Sequence, residues 1–130
     1  MKVVILAGGL GTRISEYTKK IPKPMILVNG LPIIEHIMNH FYNYGFNEFI
    51  IAAGYKGNLI KKYFKSKKFK NWKIQVVDTG LNVMTGGRLK KLKSFLDKDD
   101  NFFLTYGDGV SNINLSKLKK FHLKNKKILT

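Results

Sequence analysis

The chain has 130 residues, 44% of them hydrophobic, so it can bury one core and is too short for two ordinary domains. It contains no cysteine, which excludes disulfides, zinc–thiolate sites and a cysteine nucleophile. The formal net charge of +16, from 24 Lys and Arg against 8 Asp and Glu, would attract any polyanion, including nucleic acid, a membrane surface and nucleotide phosphates.

Only two of the basic residues are arginines, Arg13 and Arg88, and both lie in glycine-rich segments. The lysines crowd into residues 61–73 and 117–127, which we interpret mainly as solvated surface. Arginine is the fork-shaped donor that phosphate and base recognition favour. The two arginines are therefore the informative cations, and nucleic acid is not the partner we expect.

The N-terminal apolar run ends after five or six residues at Gly8-Gly9, whereas a signal peptide needs an apolar stretch of about 7 to 15 residues. No run approaches the roughly 18 to 20 apolar residues of a spanning helix. We expect a cytoplasmic location and no membrane partner.

Strand-like and helix-like segments alternate along the chain. In chain order, the predicted elements are a strand over residues 2–6, a helix over 32–44, a strand over 48–53, a short helix over 58–64, a strand over 73–77, a helix over 88–96, a strand over 101–106, a helix over 116–125 with Ser116 as its N-cap, and the opening of a fifth strand over 127–130.

This alternation predicts an α/β fold with a Rossmann-like, open, mostly parallel sheet, in which ligands bind outside the carboxyl ends of the strands. Motifs do follow strands: a glycine-rich loop after the first, Asp78-Thr79-Gly80 after the third and Gly107-Asp108-Gly109 after the fourth. Because the last predicted strand has only opened at Thr130, we expect residues 1–130 to be the N-terminal part of a single domain that is incomplete at its C-terminus.

The glycine loop, Leu6-Ala7-Gly8-Gly9-Leu10-Gly11-Thr12-Arg13, places three glycines directly after a strand. Glycines let the backbone turn sharply and offer N–H groups to an anion at close range, and Thr12-Arg13 adds a hydroxyl and a bidentate phosphate donor. The loop lacks the closing Lys-Ser or Lys-Thr of a P-loop and the spacing of the dinucleotide fingerprint. It predicts a phosphate cradle of another kind.

A second candidate cation, Lys23, lies between Pro22 and Pro24. Flanking prolines restrict the backbone, so the lysine would keep a fixed direction suited to a phosphate that moves little. A proline-stiffened surface turn is the alternative interpretation of this segment.

Taken together, the glycine loop, Lys23-Pro24-Met25 and Gly30-Leu31-Pro32-Ile33-Ile34 closely resemble the start of the sugar-1-phosphate nucleotidyltransferases. Further stretches resemble the glucose-1-phosphate cytidylyltransferase branch: Gly54-Tyr55-Lys56-Gly57, Asp78-Thr79-Gly80, Met84-Thr85-Gly86-Gly87-Arg88-Leu89 and Thr105-Tyr106-Gly107-Asp108-Gly109-Val110. The resemblance implies the nucleotidyltransferase (GT-A-like) variety of the fold.

The implied reaction is attack of a phosphate oxygen of glucose 1-phosphate on the α-phosphorus of CTP, giving CDP-glucose and pyrophosphate. By similarity, Arg13 would contact the departing pyrophosphate, Lys23 would neutralise the α-phosphate, and Asp108 would bind Mg²⁺. The residues implied to contact the nucleotide are Leu6, Ala7, Gly8, Gly9, Leu10, Gly11, Thr12, Arg13, Lys23, Val83, Thr85, Gly86, Arg88 and Gly107.

The resemblance also implies that the segment over residues 78–88 faces the base, with Arg88 and the backbone of residues 85–87 selecting cytosine. This segment departs from the family pattern, because Asn82-Val83 stands where small hydroxyl residues are usual. A different donor, UTP, dTTP or ATP, therefore remains an alternative to CTP. The family also continues beyond the matched region with sugar-binding groups, a second lysine and a second magnesium carboxylate. A truncated, non-catalytic nucleotide-binding fragment is a further alternative, and for a full-length protein the resemblance implies a homo-oligomer.

Two other features are interpreted as structural. His36 and His40 beside Glu35 do not have the order of a zinc helix, so we predict no metal there. A set of aromatic residues is expected at core-facing positions rather than on a base-stacking platform: Phe41, Phe49, Phe64, Phe102, Phe103 and Tyr106. One alternative to a nucleotidyltransferase comes from another functional class. It is a nucleic-acid-binding module whose binding depends on the net charge of +16 alone.

Overall fold

The computed structural model describes residues 1–12, 15–67 and 69–130. Its elements are, in chain order, β1 (Val3–Ala7), α1 (Ser15–Thr18), a 3-10 turn (Lys23–Met25), β2 (Leu27–Val28), β3 (Leu31–Pro32), α2 (Ile33–Asn43), β4 (Glu48–Ala53), α3 (Gly57–Ser66), β5 (Lys73–Asp78), α4 (Thr85–Lys91), α5 (Lys93–Leu96), β6 (Phe103–Tyr106) and α6 (Leu115–Asn125).

Four strands form one parallel sheet in the order β5-β4-β1-β6. Val3 of β1 is in register with Phe49 of β4 on one side and with Phe103 of β6 on the other. All four strands end at the same edge, so the loops that follow them converge there. The predicted α/β architecture with an open parallel sheet is confirmed.

Both faces of the central strand β1 are covered, which accounts for its continuous apolar sequence. Val3 and Ile5 pack in a buried cluster with Ile34 and Met38 of α2. On the opposite face, Val4 and Leu6 share a smaller buried cluster with Leu92, which lies between α4 and α5.

The predicted helix over residues 88–96 differs from the structure at both its start and its middle. Helix α4 already begins at Thr85, and Leu92 separates it from α5. Glycine is a poor helix former by about 1 kcal/mol, so Gly86-Gly87 indicated a loop. The buried side chain of Arg88 anchors this turn through its hydrogen bonds, and tertiary structure overrides the glycine preference.

Two expectations for the last segment are wrong. The N-cap of α6 is Asn114, not Ser116, and its side-chain oxygen accepts a hydrogen bond from the Lys117 N–H at 2.9 Å; asparagine caps as well as serine does. Residues 127–130 form no strand. Instead, the Thr130 hydroxyl lies 2.8 Å from Nδ1 of His122.

Two of the aromatic residues that were expected at core-facing positions are not buried. Tyr106 and Phe102 are 59% and 39% exposed, whereas Phe41 and Phe49 are buried. Tyr106 shares a face with Leu6 across the β1–β6 pairing, where α4 and α5 cover β1 and β4. Strand β6 is at the sheet edge and receives little cover on that face.

Among the described residues, no helix has the length and apolar character needed to cross a membrane.

Candidate nucleotide-binding site

A cleft of about 330 Å³ opens at the carboxyl ends of β1 and β6. The cleft is lined by the glycine loop, by the turn around Lys23, by residues at and after the end of β6, and by the segment over residues 83–88. Its lining consists of Leu6, Ala7, Gly8, Gly9, Gly11, Thr12, Lys23, Pro24, Val83, Met84, Thr85, Arg88, Tyr106 and Asp108.

Most of the sequence-predicted site residues therefore meet in one cleft. Leu10, Gly86 and Gly107 do not line it, and Arg13 lies outside the described residues. Gly107 adjoins two cleft-lining residues, because its N–H donates to the Leu6 carbonyl at 2.9 Å and a Cβ there would lie 3.1 Å from Pro24 Cγ.

The cleft also contains Pro24, Met84 and Tyr106, which sequence reasoning did not assign to the site. Each adjoins a predicted site residue: Pro24 follows Lys23, Met84 precedes Thr85, and Tyr106 is the last residue of β6 before Gly107-Asp108. The signal that could have identified Tyr106 is this position at a strand end, where parallel α/β sheets bind ligands.

The glycine loop is held in place by its own backbone carbonyls. The Gly8 carbonyl accepts hydrogen bonds from Arg88 Nη2 at 2.9 Å and from the Tyr55 N–H at 3.3 Å. A Cβ at Gly8 would lie 2.1 Å from Arg88 Nη1, so any other residue there would displace the Arg88 guanidinium. Further along, Gly11 has φ +65°, a left-handed conformation that favours glycine.

Arg88 is buried, and both terminal nitrogens of its guanidinium donate to protein acceptors. Nη1 donates to Thr79 Oγ1 at 2.6 Å, to the Gly80 carbonyl at 2.8 Å and to the Ala53 carbonyl at 3.3 Å. Nη2 donates to the Gly8 carbonyl and, at 3.3 Å, to the carbonyl of Leu81.

Through these bonds Arg88 joins the end of β4 to the loops that follow β1 and β5. Burial lowers the pKa of Arg88 from its ordinary value, and the charge of Asp78 partly opposes this shift; an arginine nevertheless stays protonated at neutral pH. The side chain thus supplies a permanent positive charge beneath the glycine loop. Its contact with a base remains a prediction.

Lys23 and Asp108 form an ion pair inside the cleft, with Nζ 2.6 Å from Oδ2 and each side chain about one-third exposed. The lysine is placed by a 3-10 turn that follows the extended Pro22 and contains the buried Pro24. This rigid setting agrees with the fixed direction predicted for Lys23. The pairing itself was not predicted.

Val83 packs against glycines of its own segment. A Cβ at Gly80 would lie 3.2 Å from Val83 Cγ2, and a Cβ at Gly87 would lie 2.8 Å from Val83 Cγ1. The side chain therefore fits between the end of β5 and the first turn of α4, while also lining the cleft.

Asp108 is the one carboxylate among the cleft-lining residues that the structure describes. Within the described ranges, no three or more His, Asp or Glu side chains gather in a way that would hold a metal ion. The two histidines of α2 bind backbone instead: Nε2 of His36 lies 2.8 Å from the Val28 carbonyl oxygen, and Nε2 of His40 lies 2.9 Å from that of Ile113.

Comparison with known proteins agrees with this geometry. The chain is 43% identical over 142 residues to a probable glucose-1-phosphate cytidylyltransferase of Bacillus subtilis (strain 168), covering 94% of this chain and 56% of the relative. It is 42% identical over 143 residues to the glucose-1-phosphate cytidylyltransferase of Salmonella typhimurium (strain LT2), with the same coverage. The chain thus spans about half the length of the curated relatives it matches.

Among solved structures, HddC from Yersinia pseudotuberculosis complexed with GMP-PN superposes with a TM-score of 0.82 at 29% identity, covering 94% of this chain and 54% of HddC. The family model described as nucleotidyl transferase matches residues 2–130. This chain, with its parallel sheet and its glycine-lined cleft at the strand ends, belongs to the nucleotidyl transferase family.

Proposed function

We propose that the protein containing this chain joins CTP to glucose 1-phosphate, giving CDP-glucose and pyrophosphate. The observation that carries the proposal is the convergence of the glycine loop, Lys23 and Asp108 in one cleft, in a chain similar to cytidylyltransferases over 94% of its length. A nucleotide sugar is an activated donor for glycan assembly, so we place the protein in nucleotide-sugar supply for polysaccharide synthesis in the cytoplasm.

The proposed chemistry is an in-line displacement at the α-phosphorus of CTP. An oxygen of glucose 1-phosphate forms the new P–O bond, and the bond to the β-phosphate oxygen breaks as pyrophosphate leaves. A phosphate monoester has a second pKa of about 6 and is largely ionised at neutral pH. No general base is required, so positioning and charge neutralisation supply the catalysis.

Lys23 and the glycine loop are the groups of this chain that we assign to phosphate binding. The backbone N–H groups of Gly9 and Gly11 would contact the triphosphate, and Arg13 would add a bidentate donor to the departing pyrophosphate. Lys23 would neutralise the α-phosphate as negative charge builds on it, after releasing its ion pair with Asp108.

Asp108 is the residue we assign to Mg²⁺. Mg²⁺ keeps several waters and takes one or two protein carboxylates together with substrate phosphates. Asp108, the one carboxylate that the described residues place at the cleft, is one-third exposed and suits that demand. When bound, the ion would neutralise charge on the phosphates. Asp108 would also release Lys23 when its oxygens turn to the metal.

We assign base selection to the segment that begins at Val83. Met84 and Thr85 lie at the start of α4 and line the cleft, and Arg88 holds this segment against the glycine loop. Val83 offers only methyl groups where a hydroxyl is usual, so a donor other than CTP is the second candidate. The guanine nucleotide in the HddC structure adds GTP to the donors worth testing.

The test is pyrophosphate release by the full-length protein with glucose 1-phosphate and Mg²⁺, comparing CTP with UTP, dTTP, ATP and GTP. We expect CTP to give the fastest release. Equal or greater release from another triphosphate would overturn the cytidylyl assignment. If the protein binds a triphosphate but releases no pyrophosphate from any of them, it is a non-catalytic nucleotide-binding protein. If it binds oligonucleotides in a strongly salt-dependent way and does not discriminate among nucleotides, the nucleic-acid alternative is favoured.

A further inference from the structure

The loop between β4 and α3 contacts the segment that follows the glycine loop. The hydroxyl of Tyr55 donates a hydrogen bond to the Thr18 carbonyl at 2.9 Å, while the N–H of the same residue donates to the Gly8 carbonyl at 3.3 Å. Tyr55 therefore contacts the chain at Gly8, within the glycine loop, and at Thr18, beyond the end of that loop.

Thr18, which accepts the bond from Tyr55, in turn contacts the glycine loop through its own side chain. Its side chain is buried at 3% exposure, and Oγ1 donates to the Gly11 carbonyl at 3.0 Å. The methyl branch of Thr18 also lies close to Gly11, because a Cβ at Gly11 would be 2.7 Å from Thr18 Cγ2. Thr18 thus contacts Gly11 through both branches of its side chain, at the residue where φ is +65°.

A neighbouring bond reinforces the attachment. Lys56, the residue after Tyr55, donates from Nζ to the carbonyl of Lys19. The carbonyls of Thr18 and Lys19 are at and just past the end of α1, where helix carbonyls have no partner within the helix. Tyr55 and Lys56 supply donors to these two carbonyls, and so fix α1 against the loop after β4.

From these contacts we infer that Tyr55 is a positioning residue for nucleotide binding, acting through Thr18 on Gly11. A phosphate cradle works only if its N–H groups are directed at one point before the anion arrives. Left-handed backbone at Gly11 is one of several conformations open to glycine, and the bond from Thr18 selects it. Tyr55 does not line the cleft, so it acts without touching the ligand.

The inference rests on the proposed function in one respect, namely that the glycine loop binds a nucleotide. A purely stabilising role for Tyr55 is the alternative. Tyr63 provides a matched control, because its hydroxyl also donates a side-chain hydrogen bond, to Glu35 Oε2 at 2.5 Å, between α2 and α3 and away from the glycine loop. Loss of that bond should lower stability and leave the loop unchanged.

The experiment compares Tyr55→Phe and Tyr63→Phe in the full-length protein by calorimetric titration with CTP and Mg²⁺. A net hydrogen bond of about 1 kcal/mol corresponds to roughly a fivefold change, so we expect Kd to rise about fivefold for Y55F and less than about twofold for Y63F. Equal Kd values for Y55F and the wild type, or equal rises in both variants, would overturn the inference.

Variants of Thr18 test the route. Thr18→Val removes Oγ1 and should weaken CTP binding as Y55F does, whereas Thr18→Ser keeps the hydroxyl and should retain more of the affinity. Because both residues act on the same loop, Y55F and T18V combined should cost less than the product of their separate effects. Independent, multiplicative effects would count against a route through Thr18.

Amide hydrogen exchange without nucleotide separates this inference from the proposed function. We expect Y55F, and not Y63F, to speed exchange over residues 8–12. Faster exchange would support the positioning role even for a protein that fails to bind CTP, a result that would refute only the proposed function. Unchanged exchange over residues 8–12 would refute the role of Tyr55, whatever the nucleotide affinity.

Discussion

Lys23 Nζ lies 2.6 Å from Asp108 Oδ2, so the lysine assigned to the α-phosphate and the carboxylate assigned to Mg²⁺ are paired with each other. The pair spans the cleft wall from the 3-10 turn to the loop after β6. Under the proposed function, each residue leaves the other when its own ligand binds. Nucleotide and metal would then both compete with the ion pair, and the two ligands should assist each other's binding.

Lys23→Met should make Asp108 a better metal ligand in the nucleotide-free protein. A partly exposed ion pair is worth about 0.2 to 1 kcal/mol, which corresponds to metal binding tighter by up to about fivefold. Titration with Mn²⁺, followed by electron paramagnetic resonance, measures this affinity. Asp108→Asn identifies the part of the signal that belongs to this site, and an unchanged Mn²⁺ affinity in Lys23→Met would contradict the prediction.

Arg88→Met should destabilise the protein, because it leaves the carbonyls around the buried guanidinium without their donor. We expect a loss of about 2 to 4 kcal/mol in the free energy of unfolding, measured in urea. Arg88→Lys keeps the charge and lacks the planar fork, so it should lose nearly as much. Lys90→Met, at an exposed position of the same helix, is the control; wild-type stability in Arg88→Lys would show that charge alone suffices.

Gly8→Ala and Gly9→Ala should differ sharply in stability although the residues are adjacent. A Cβ at Gly8 would lie 2.1 Å from Arg88 Nη1, whereas a Cβ at Gly9 would meet no atom within 4 Å. Overpacking of this kind costs about 1 to 3 kcal/mol, and an unobstructed surface change stays within about 0.5 kcal/mol. Thermal or urea unfolding measures the stability of the two variants. Equal stability of Gly8→Ala and Gly9→Ala would contradict the prediction and show that Arg88 moves aside.

Stability at high pH should depend on the contacts of Glu35. Burial, followed by the hydrogen bond to Glu35, raises the pKa of Tyr63 above its ordinary 10.0. The hydrogen bond to Glu35 raises the pKa of Lys67 above 10.5. Both groups hold their protons to higher pH in the folded chain than in the unfolded one. Their stabilising contribution is therefore complete below about pH 10 and is lost as pH rises through the folded-state pKa values.

Glu35→Gln tests this dependence. The wild type should exceed the variant in unfolding free energy at about pH 8, and the difference should narrow above about pH 10 as Lys67 and Tyr63 lose their protons. Urea unfolding of the wild type and of Glu35→Gln at a series of pH values measures this difference in unfolding free energy. A difference that stays constant up to about pH 11.5 would mean that these groups do not titrate with folding.

Strand and helix positions were predictable where periodicity and sterics act locally. The strand over residues 48–53 has the predicted bounds, and α2 begins after Pro32 and ends near Gly45, as its apolar spacing indicates. Two predictions failed where contacts between separate segments decide the outcome. Gly86-Gly87 lie in a helix whose Arg88 is held by the carbonyls of Gly8 and Gly80, and Tyr106 lies on a face of the edge strand that no helix covers.

The sequence by itself determined the alternation of the four sheet strands with helices and most of the cleft residues. Parallel strands end at one edge, so motifs that follow them, such as Gly8-Gly9 and Asp108, must converge. Only the tertiary structure decided which of these side chains contact each other. Arg88 binds the Gly8 carbonyl, Lys23 binds Asp108, and Tyr55 reaches Gly11 through Thr18, because hydrogen bonds and ion pairs between distant segments depend on packing that no local pattern encodes.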